Sequence, residues 1–429
     1  MLGSNSPNLV VLLASVLKPV DDTRMRGKFA ETLTERPYTR VHVAGRGPVG
    51  FSDGRADEFH GVYLHRIFDG HRLSLGRLGA QRRYWQLLRH LRPTLVIVHA
   101  PELLPLTLLW QALGRGRRFL YDIRENYALN VATQQVYRGN VRRWLAAGLR
   151  WVEARAARRA AAVVLAEASY ADELPFLRAL PPGRVVVLEN KYQPLLGEPL
   201  RTRPLAPGLV RSGGSPSAFT SLPHPLPLPL LTEPLRLLYS GTISELNGVW
   251  EAVALARGLR SAWPGGAQLT MVGFCQQPAL LRQLQQQVAR HSAWLTLVGG
   301  AELVPHARIV AEIGRSHLGL LPYRPHPSSE RCRPTKLFEY LACGLPVVAT
   351  PNPLWQQLLT RHGAGLSLDF TRPDAATTLI TQLEGTVFYP HGVPTDVLWE
   401  SEGKKLWLLL DSLFKTTTFA PHFAPTAQA

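Results

Sequence analysis

Alternating strand and helix patterns, repeated on both sides of a proline-crowded segment, constrain this chain more than any other feature. Short β-rich runs are followed by amphipathic helical segments through almost the whole sequence. Such alternation favours parallel sheets covered by helices. A chain of 429 residues is also too long for one ordinary core. The sequence therefore predicts an α/β protein with two doubly wound, Rossmann-like domains.

The same patterns place the individual elements. In the first half, strands are predicted near Leu9–Ala14, Thr39–Ala44, Val62–Ile67, Thr94–Val98, Phe119–Asp122, Ala162–Ala166 and Val185–Leu188, and helices near Arg24–Thr34, Leu75–Leu91, Leu103–Leu113, Asn140–Arg159 and Tyr170–Arg178. In the second half, strands are predicted near Leu235–Ser240, Gln268–Val272, Trp294–Leu297 and Leu318–Leu321, and helices near Val249–Leu259, Pro278–Ala289, Ala307–Arg315 and Val397–Phe414.

The segment from Pro194 to Pro234 interrupts the alternation. Its prolines cannot propagate a helix or a central strand, so the segment is predicted to be a linker or an exposed excursion. The predicted boundaries are 1–193 for the first domain, 194–234 for the linker, 235–396 for the second domain, 397–414 for a last helix and 415–429 for a loose tail. Two such domains facing one another would form a cleft at the carboxyl ends of both sheets.

A short helix with both ends marked, followed by a buried strand, is predicted near the C-terminal end. Pro334 suits the first helical position, where a missing N–H costs nothing, and Gly344 suits the position just past the helix. Val347 to Thr350 is a β-rich run.

The beginning of this helix carries the chemistry of an anion site. Free backbone amides and the positive end of the helix dipole near Thr335 favour an anion, and Lys336 adds a cation. Glu339 follows three residues later on the same face, where its carboxylate suits a ribose hydroxyl. The pattern indicates a nucleotide-sugar site, with an ordinary solvated helix as the alternative.

The run P-T-K-L-F-E-Y-L-A-C-G-L-P-V-V-A-T, which begins at Pro334, resembles the donor-binding segment of the family 4 glycosyltransferases. In that family, which has the GT-B fold, the glutamate at the position of Glu339 holds the ribose of the nucleotide diphosphate. The resemblance implies that the first domain binds mainly the acceptor and the second the donor. It also implies retention of configuration at the anomeric carbon.

A second segment resembles the first donor-side loop of the same family. Gly241 follows the first strand of the second domain, where a glycine lets the backbone approach a diphosphate closely. The family commonly has an arginine or a similar residue and a lysine in this loop, whereas this chain has Thr242 and Asn247. The phosphate charge must then be met elsewhere, by Lys336 and the arginines near it.

A second departure concerns a pair of acids. Many family members carry a glutamate eight positions before the one that matches Glu339, and this chain has Arg331 there. A shifted register would let the neighbouring Glu330 serve the donor sugar, or Arg331 could take a phosphate. Loss of activity is the third alternative.

The first domain contributes two candidate catalytic residues. His99 ends a predicted strand and matches the histidine of a family histidine–aspartate pair, although Ala100 replaces the acid. A neutral imidazole there could hydrogen-bond the sugar or the acceptor. Glu125 follows the next strand in a segment similar to the family's D-x-H-E, with Arg124 in place of the histidine, and could act as an acceptor ligand or base. Structural roles for His99 and Glu125 are the alternatives. The segment Asp21 to Arg24 also resembles a recurring segment of the family, with simple N-capping by Asp22 or Thr23 as its alternative.

Charge and cysteine content bear on partners and location. Lys and Arg number 48 against 31 Asp and Glu, which indicates an acidic partner unless the composition is a genome-wide habit. The dispersed basic residues and the lack of a recognised module argue against nucleic acid. In the helix Asn140–Arg159, arginines alternate with Trp144 and Trp151, a pattern that could rest on an anionic membrane. A solvated face is the alternative.

Three widely spaced cysteines, and no apolar stretch long enough to span a bilayer, predict a cytoplasmic protein.

These observations favour a glycosyltransferase that moves a sugar from a nucleotide diphosphate sugar to a glycan or lipid-linked acceptor. No Asp-x-Asp motif stands at a strand end, so metal independence and no cofactor are predicted. Two alternatives stay open. One is a sugar-nucleotide epimerase or dehydrogenase, although no G-x-G-x-x-G follows the first strand. The other is a binding protein or membrane-associated scaffold without turnover.

Overall fold

The computed structural model describes residues 9–47, 57–59, 61–70, 74, 76–129, 139–194 and 228–414. The chain forms two compact units. Unit 1 comprises Met1–Glu189 and Glu400–Ala429, and unit 2 comprises Asn190–Trp399. Most of the predicted linker 194–234, and the predicted tail 415–429, lie outside the described residues.

Unit 1 is built on an eight-stranded sheet. Its strands are β1 (Leu9–Pro19), β2 (Thr39–Arg46), β3 (Asp57–Phe59), β4 (Val62–Phe68), β5 (Leu95–Val98), β6 (Arg118–Ile123), β7 (Ala162–Leu165) and β8 (Val185–Val187). The order across the sheet is β3-β4-β2-β1-β5-β6-β7-β8. Every pairing is parallel except that of β3 with β4, which confirms the predicted α/β class.

Helices connect these strands. A π-helical turn at Met25–Ala30 leads into α1 (Glu31–Thr34), and a 3₁₀ turn at Pro101–Leu103 leads into α3 (Leu104–Ala112). The others are α2 (Gly76–Leu91), α4 (Gly139–Arg159) and α5 (Tyr170–Glu173).

The single helix predicted over Tyr170–Arg178 is wrong. The chain leaves helical geometry at Leu174, which is extended, and resumes as a 3₁₀ turn at Pro175–Ala179. Pro175 causes the break because a proline disfavours helical geometry in the residue before it and has no N–H to donate.

Unit 2 is built on six parallel strands. They are β9 (Leu235–Ile243), β10 (Ala267–Cys275), β11 (Leu295–Gly300), β12 (Leu318–Leu321), β13 (Val347–Ala349) and β14 (Gly365–Ser367), in the order β11-β10-β9-β12-β13-β14. The helices are α6 (Val249–Ala262), α7 (Pro278–Arg290), α8 (His306–Arg315), α9 (Pro327–Glu330), α10 (Thr335–Ala342), α11 (Pro353–His362) and α12 (Ala375–Leu383). The last helix, α13 (Glu400–Leu413), is grouped with unit 1.

Each unit has its own core around a central strand. Leu12 and Leu13 of β1 point to opposite faces of the sheet and both are fully buried, as are Leu238 and Tyr239 of β9. Strands covered on both faces need continuous apolar runs, which explains why these segments do not alternate with polar residues. Burying one such side chain contributes roughly 1.5–3 kcal/mol before the entropy cost of folding.

The strand order places candidate ligand sites at the carboxyl-terminal ends of the strands in each sheet. In unit 1 the chain adds β2 on one side of β1 and β5 on the other, and in unit 2 β9 separates β10 from β12 in the same way. Ligands of open α/β sheets bind at the carboxyl ends of strands where the order reverses. His99 follows β5 and Gly241 lies near the end of β9, so both residues lie at such points.

Candidate functional site

Helix α10 begins one residue later than the sequence predicts. Pro334 is extended and lies outside the helix, with ψ at 142°, and Thr335 is the first helical residue. Pro334 therefore fixes the entry of the chain rather than forming the first turn. Gly344 has a positive φ of 65° just after the helix ends, in agreement with the prediction.

The loop before α10 is anchored by α11, which the sequence analysis missed. Asn352 caps α11 and its side-chain amide donates to the carbonyl oxygen of Glu330 at 2.9 Å. The indole N–H of Trp355 donates to the carbonyl oxygen of Cys332 at 2.7 Å. These two bonds hold the backbone that leads into Thr335.

Lys336 is the most unusual residue of α10. Its side chain is 8% exposed, and its Nζ lies 4.9 Å from the ring centre of Tyr239 and 5.2 Å from that of Tyr323. No described residue forms a hydrogen bond with this ammonium. Burial lowers the pKa of Lys336 to about 8, although the nearby Glu339 raises it. A buried cation with only aromatic faces beside it is costly, since the rings replace its water poorly.

Gly241 forms the backbone surface beside this ammonium. It has a positive φ of 90°, and a Cβ at this position would lie 3.3 Å from Cε and 3.5 Å from Nζ of Lys336. On the next strand Gly273 is in register with Gly241, and a Cβ on Gly273 would collide with the Gly241 carbonyl oxygen. Near the ends of β9 and β10 the two paired positions are therefore glycines, and the Gly241 backbone lies directly beside the buried cation.

The loop after Gly241 is held by the residue that replaces the lysine of the family pattern. The Asn247 side-chain amide donates to the Thr242 carbonyl oxygen at 2.9 Å, and the Tyr239 hydroxyl donates to the same oxygen at 3.1 Å. The Thr242 side chain is exposed. Asn247 thus shapes the turn but supplies no charge.

Glu339 has a partner that the sequence analysis did not anticipate. Its Oε1 lies 3.0 Å from Nε2 of His306, the first residue of α8. The His306 ring in turn lies 6.1 Å from that of Tyr192. The imidazole fixes one carboxylate oxygen, and Glu339 remains 12% exposed at its side chain.

The other predicted donor-side residues surround the start of α10. The Thr335 hydroxyl accepts a hydrogen bond from the Asn190 side chain at 2.7 Å. Glu330 ends the short helix α9, and the side chains of Glu330 and Arg331 are both exposed. Lys336, Gly241, Thr335 and Glu339 therefore form one cluster with the start of α10.

Unit 1 contains a second group of buried charges, around His99. His99 Nδ1 lies 2.7 Å from Oδ2 of Asp122, and Arg24 donates two hydrogen bonds to the same carboxylate, at 2.9 Å and 2.7 Å. All three side chains are almost completely buried. Burial by itself raises the pKa of Asp122, but the Arg24 guanidinium and the His99 bond hold it well below its usual range. The sequence analysis identified neither Arg24 nor Asp122 as functional.

The protonation state of His99 follows from this arrangement. Burial lowers the pKa of His99 from its usual value, and the Asp122 carboxylate only partly opposes that shift. A neutral ring that donates its Nδ1 proton to Asp122 leaves Nε2 as an acceptor. No described residue bonds Nε2, and the ring is packed edge-on against Phe29, with centroids 5.3 Å apart.

Glu125 lies nearer the surface of unit 1. Its carboxylate is 3.3 Å from the Lys18 ammonium, and both side chains are partly exposed. The neighbouring Arg124 forms two hydrogen bonds with Asp22, at 2.8 Å and 3.0 Å. Asp22 Oδ1 also accepts from the Met25 backbone amide at 2.9 Å, so it supports the start of the first helical turn.

Part of this chain matches a known protein family. Residues 23–191 match the family model of the glycosyl transferase 4-like domain. A search of curated protein sequences finds no match. The chain has the GT-B fold, and its residues 23–191 are similar to a glycosyl transferase 4-like domain.

Solved structures agree with this fold at low sequence identity. Sucrose-phosphate synthase from Thermosynechococcus elongatus has a TM-score of 0.62 and 15% identity, covering 95% of this chain and 99% of the other. HepE from Anabaena, in complex with UDP and glucose, has a TM-score of 0.57 and 14% identity, with 94% and 100% covered. The catalytic domain of starch synthase IV from Arabidopsis thaliana, bound to ADP and acarbose, has a TM-score of 0.56 and 11% identity, with 95% and 99% covered.

The described helices of this chain include none that is both long and apolar enough to cross a membrane. The matched family segment contains β5 and β6, so His99, Asp122 and Glu125 all lie in the glycosyl transferase 4-like domain. The Lys336 cluster lies outside that match, in unit 2.

Proposed function

We propose that this glycosyltransferase moves a sugar from a nucleotide diphosphate sugar to a hydroxyl of a glycan or lipid-linked acceptor. The observation that carries the proposal is the buried Lys336 ammonium, which lies against the Gly241 backbone without a hydrogen-bond partner among the described residues. A diphosphate would supply the missing negative charge. Structural relatives solved with UDP or with ADP support a nucleotide donor for the same fold.

Each donor-side residue has a role in this proposal. The amides at the start of α10 and the Lys336 ammonium bind the diphosphate, because both offer positive charge at one point. Bare backbone at Gly241 lets the phosphates come close. Glu339, oriented by His306, binds the ribose hydroxyls through its carboxylate. Thr242 contributes to the same loop.

The reaction requires stabilisation of the charge that develops when the sugar leaves the diphosphate. Breaking the glycosidic bond leaves negative charge on the phosphate and positive charge on the sugar ring. Lys336 and the helix amides stabilise the first, and we propose that Arg331 adds a second cation, so that no bound metal is needed. The proposal includes retention at the anomeric carbon, with Glu330 near the donor sugar.

The acceptor side rests on unit 1. His99 Nε2 is an unused acceptor when the ring is neutral, and we propose that it receives a hydroxyl of the sugar or of the acceptor. Glu125, which is partly exposed beside Lys18, is a second candidate ligand or base for the acceptor hydroxyl. His99→Ala is then expected to lower turnover more than donor binding.

A membrane location is part of the proposal. On α4 the side chains of Trp144 and Trp151 are 79% and 67% exposed, seven residues apart on one face of the helix, with exposed Arg143 beside the first. Exposed tryptophans beside arginines suit the surface of an anionic membrane. We propose that the chain works in the cytoplasm, at the inner membrane face.

The alternative is a protein that binds a sugar nucleotide without transferring it, motivated by Arg331 and Asn247 in place of the family residues. A panel of UDP-, ADP- and GDP-sugars, measured for binding and for transfer or hydrolysis, separates the two. Turnover of one donor supports the proposal, and binding without turnover supports the alternative. Conversion of the sugar while it stays on the nucleotide would instead indicate an epimerase.

Variants test the donor site directly. Lys336→Ala and Glu339→Ala should each weaken donor affinity by about tenfold or more, since each removes a charge-assisted hydrogen bond to the ligand. The matched control is Arg290→Ala, an exposed residue at the end of α7. Unchanged affinity in both site variants would remove the donor assignment.

A further inference from the structure

A groove on unit 1 lies at the amino-terminal ends of the strands, whereas His99 and Glu125 lie at the carboxyl-terminal ends. Its volume is about 690 Å³. Its lining includes the start of β6, the C-terminal end of α4 and the residues just before β7 and β8, all at the amino ends of the strands. His99 and Glu125 follow the carboxyl ends of β5 and β6, so the groove is a separate site.

Five arginines line this groove, and the described lining contains no acidic residue. The arginines are Arg118, Arg155, Arg158, Arg159 and Arg184. None of the five forms an ion pair with a carboxylate among the described residues. The fold therefore gathers these charges from three separate segments of the chain into one concave surface.

The groove is held in shape by its own hydrogen bonds. The Gln111 side chain on α3 donates to the Arg159 carbonyl oxygen at 3.2 Å, and the Arg184 guanidinium donates to the carbonyl oxygen of Ala160. Arg118 Nη1 is buried and has no described hydrogen-bond partner. The Arg118 side chain is otherwise partly exposed, and its guanidinium carbon lies 4.9 Å from the ring centre of Phe414.

The lining of the groove also has an apolar part. It includes Pro105 and Leu108 of α3 and Trp151 and Val152 of α4. The volume falls in the range of small-molecule sites, roughly 300–1,000 Å³. A ligand that fits must combine strong negative charge with an apolar or aromatic part.

We propose that this groove binds a phosphate-bearing ligand, with the phosphate on the arginines and an apolar portion against Trp151 and Leu108. Guanidinium groups bind phosphate through pairs of parallel hydrogen bonds, which is why clusters of arginine suit this group. Both a soluble phosphorylated molecule and the headgroup of an anionic lipid have the required chemistry. The inference does not depend on the donor site in unit 2.

Calorimetry and vesicle co-sedimentation on the full chain test this inference. The soluble probes are inorganic pyrophosphate and phenyl phosphate, added after the donor site has been inactivated by Lys336→Ala. The lipid probe is vesicles of phosphatidylcholine with phosphatidylglycerol, compared with phosphatidylcholine alone. The groove variant is Arg155→Glu/Arg158→Glu, and its matched control is Arg82→Glu/Arg89→Glu, two exposed arginines of α2 with the same change of charge.

The groove variant should weaken binding of one probe by about tenfold or more, while the control retains it within about twofold. Phenyl phosphate bound more tightly than pyrophosphate would indicate a soluble ligand with an apolar part. Binding confined to the phosphatidylglycerol vesicles would indicate a lipid headgroup. Absence of binding to every probe would overturn the inference, as would an equal loss in both double variants, since that result indicates only general charge attraction. A thermal unfolding scan of each variant confirms that it is folded.

Discussion

Two buried cations of this molecule differ in how their charge is met. In unit 1 the Arg24 guanidinium forms two hydrogen bonds with Asp122, which also binds His99. In unit 2 the Lys336 ammonium lies between the rings of Tyr239 and Tyr323 without a hydrogen-bond partner among the described residues. Both side chains are nearly inaccessible to solvent, so burial alone does not distinguish them.

The difference indicates which of the two cations stabilises the fold and which one binds a ligand. A buried cation that is hydrogen-bonded to a carboxylate of the same chain is part of the folded unit. Removing either partner lowers the free energy of unfolding. A cation without one makes the empty protein less stable, and a bound anion relieves that cost. On this comparison Arg24 is a positioning residue for Asp122 and His99, whereas Lys336 is a binding residue.

Asp122→Ala should have the largest effect on stability. It leaves the Arg24 guanidinium buried without a carboxylate, for which a loss of about 3–5 kcal/mol in the free energy of unfolding is expected. Urea denaturation of the full chain measures this loss. The matched control is Asp374→Ala, which also removes a carboxylate bound twice by an arginine, at 2.8 Å and 2.9 Å to Arg372, but on the surface. No measurable change is expected there, and an equal loss in both variants would contradict the assignment of Arg24.

Lys336→Met should act in the opposite direction. Burial lowers the pKa of Lys336 from 10.5 to about 8, so the unfolded chain binds more protons between these two values and stability rises with pH across that window. At neutral pH the charged form therefore costs stability. Methionine removes the charge and keeps the length of the side chain, so a gain on the order of 2 kcal/mol is expected in the absence of ligand.

Lys336→Arg is the control for this prediction, because it keeps the charge and should show no gain. Thermal and urea unfolding at neutral pH compare the three proteins. A methionine variant no more stable than the wild type would mean that the ammonium already has a counter-charge.

His306→Ala should have the smallest effect. It removes the 3.0 Å contact that orients the Glu339 carboxylate but leaves the carboxylate in place. Donor affinity is expected to fall about two- to tenfold, as for the loss of one ordinary hydrogen bond. The control is His291→Ala, whose ring lies 5.4 Å from that of Trp294 in the same unit. If both variants bind the donor equally well, His306 does not position Glu339.

Local signals in the sequence predicted much of the fold and part of the donor site. The strand and helix alternation follows from period and turn residues, so most element bounds agree within a few residues. Helix α11 was missed although Asn352 and Pro353 form a standard helix start and Gly363 ends it with a φ of 56°. That signal was available in the sequence.

The contacts that give the sites their chemistry could not be predicted in this way. Arg24 and Asp122 are 98 residues apart, and His306 and Glu339 are 33 apart. Neither pair shares a helix or a turn, so no spacing rule brings it together. The missing partner of Lys336 is a property of the folded environment, because the sequence shows a lysine at a helix start but not the rings that enclose it.

Proton uptake on donor binding is a direct test of whether the Lys336 ammonium binds the diphosphate. At about pH 8.5 a large fraction of Lys336 is neutral in the free protein, and a bound diphosphate should restore its charge. Calorimetry in two buffers of different ionisation enthalpy measures the protons taken up when a nucleoside diphosphate binds. Proton uptake is expected for the wild type and none for Lys336→Arg. Equal uptake in both proteins, or none in either, would mean that the diphosphate does not restore the charge of Lys336.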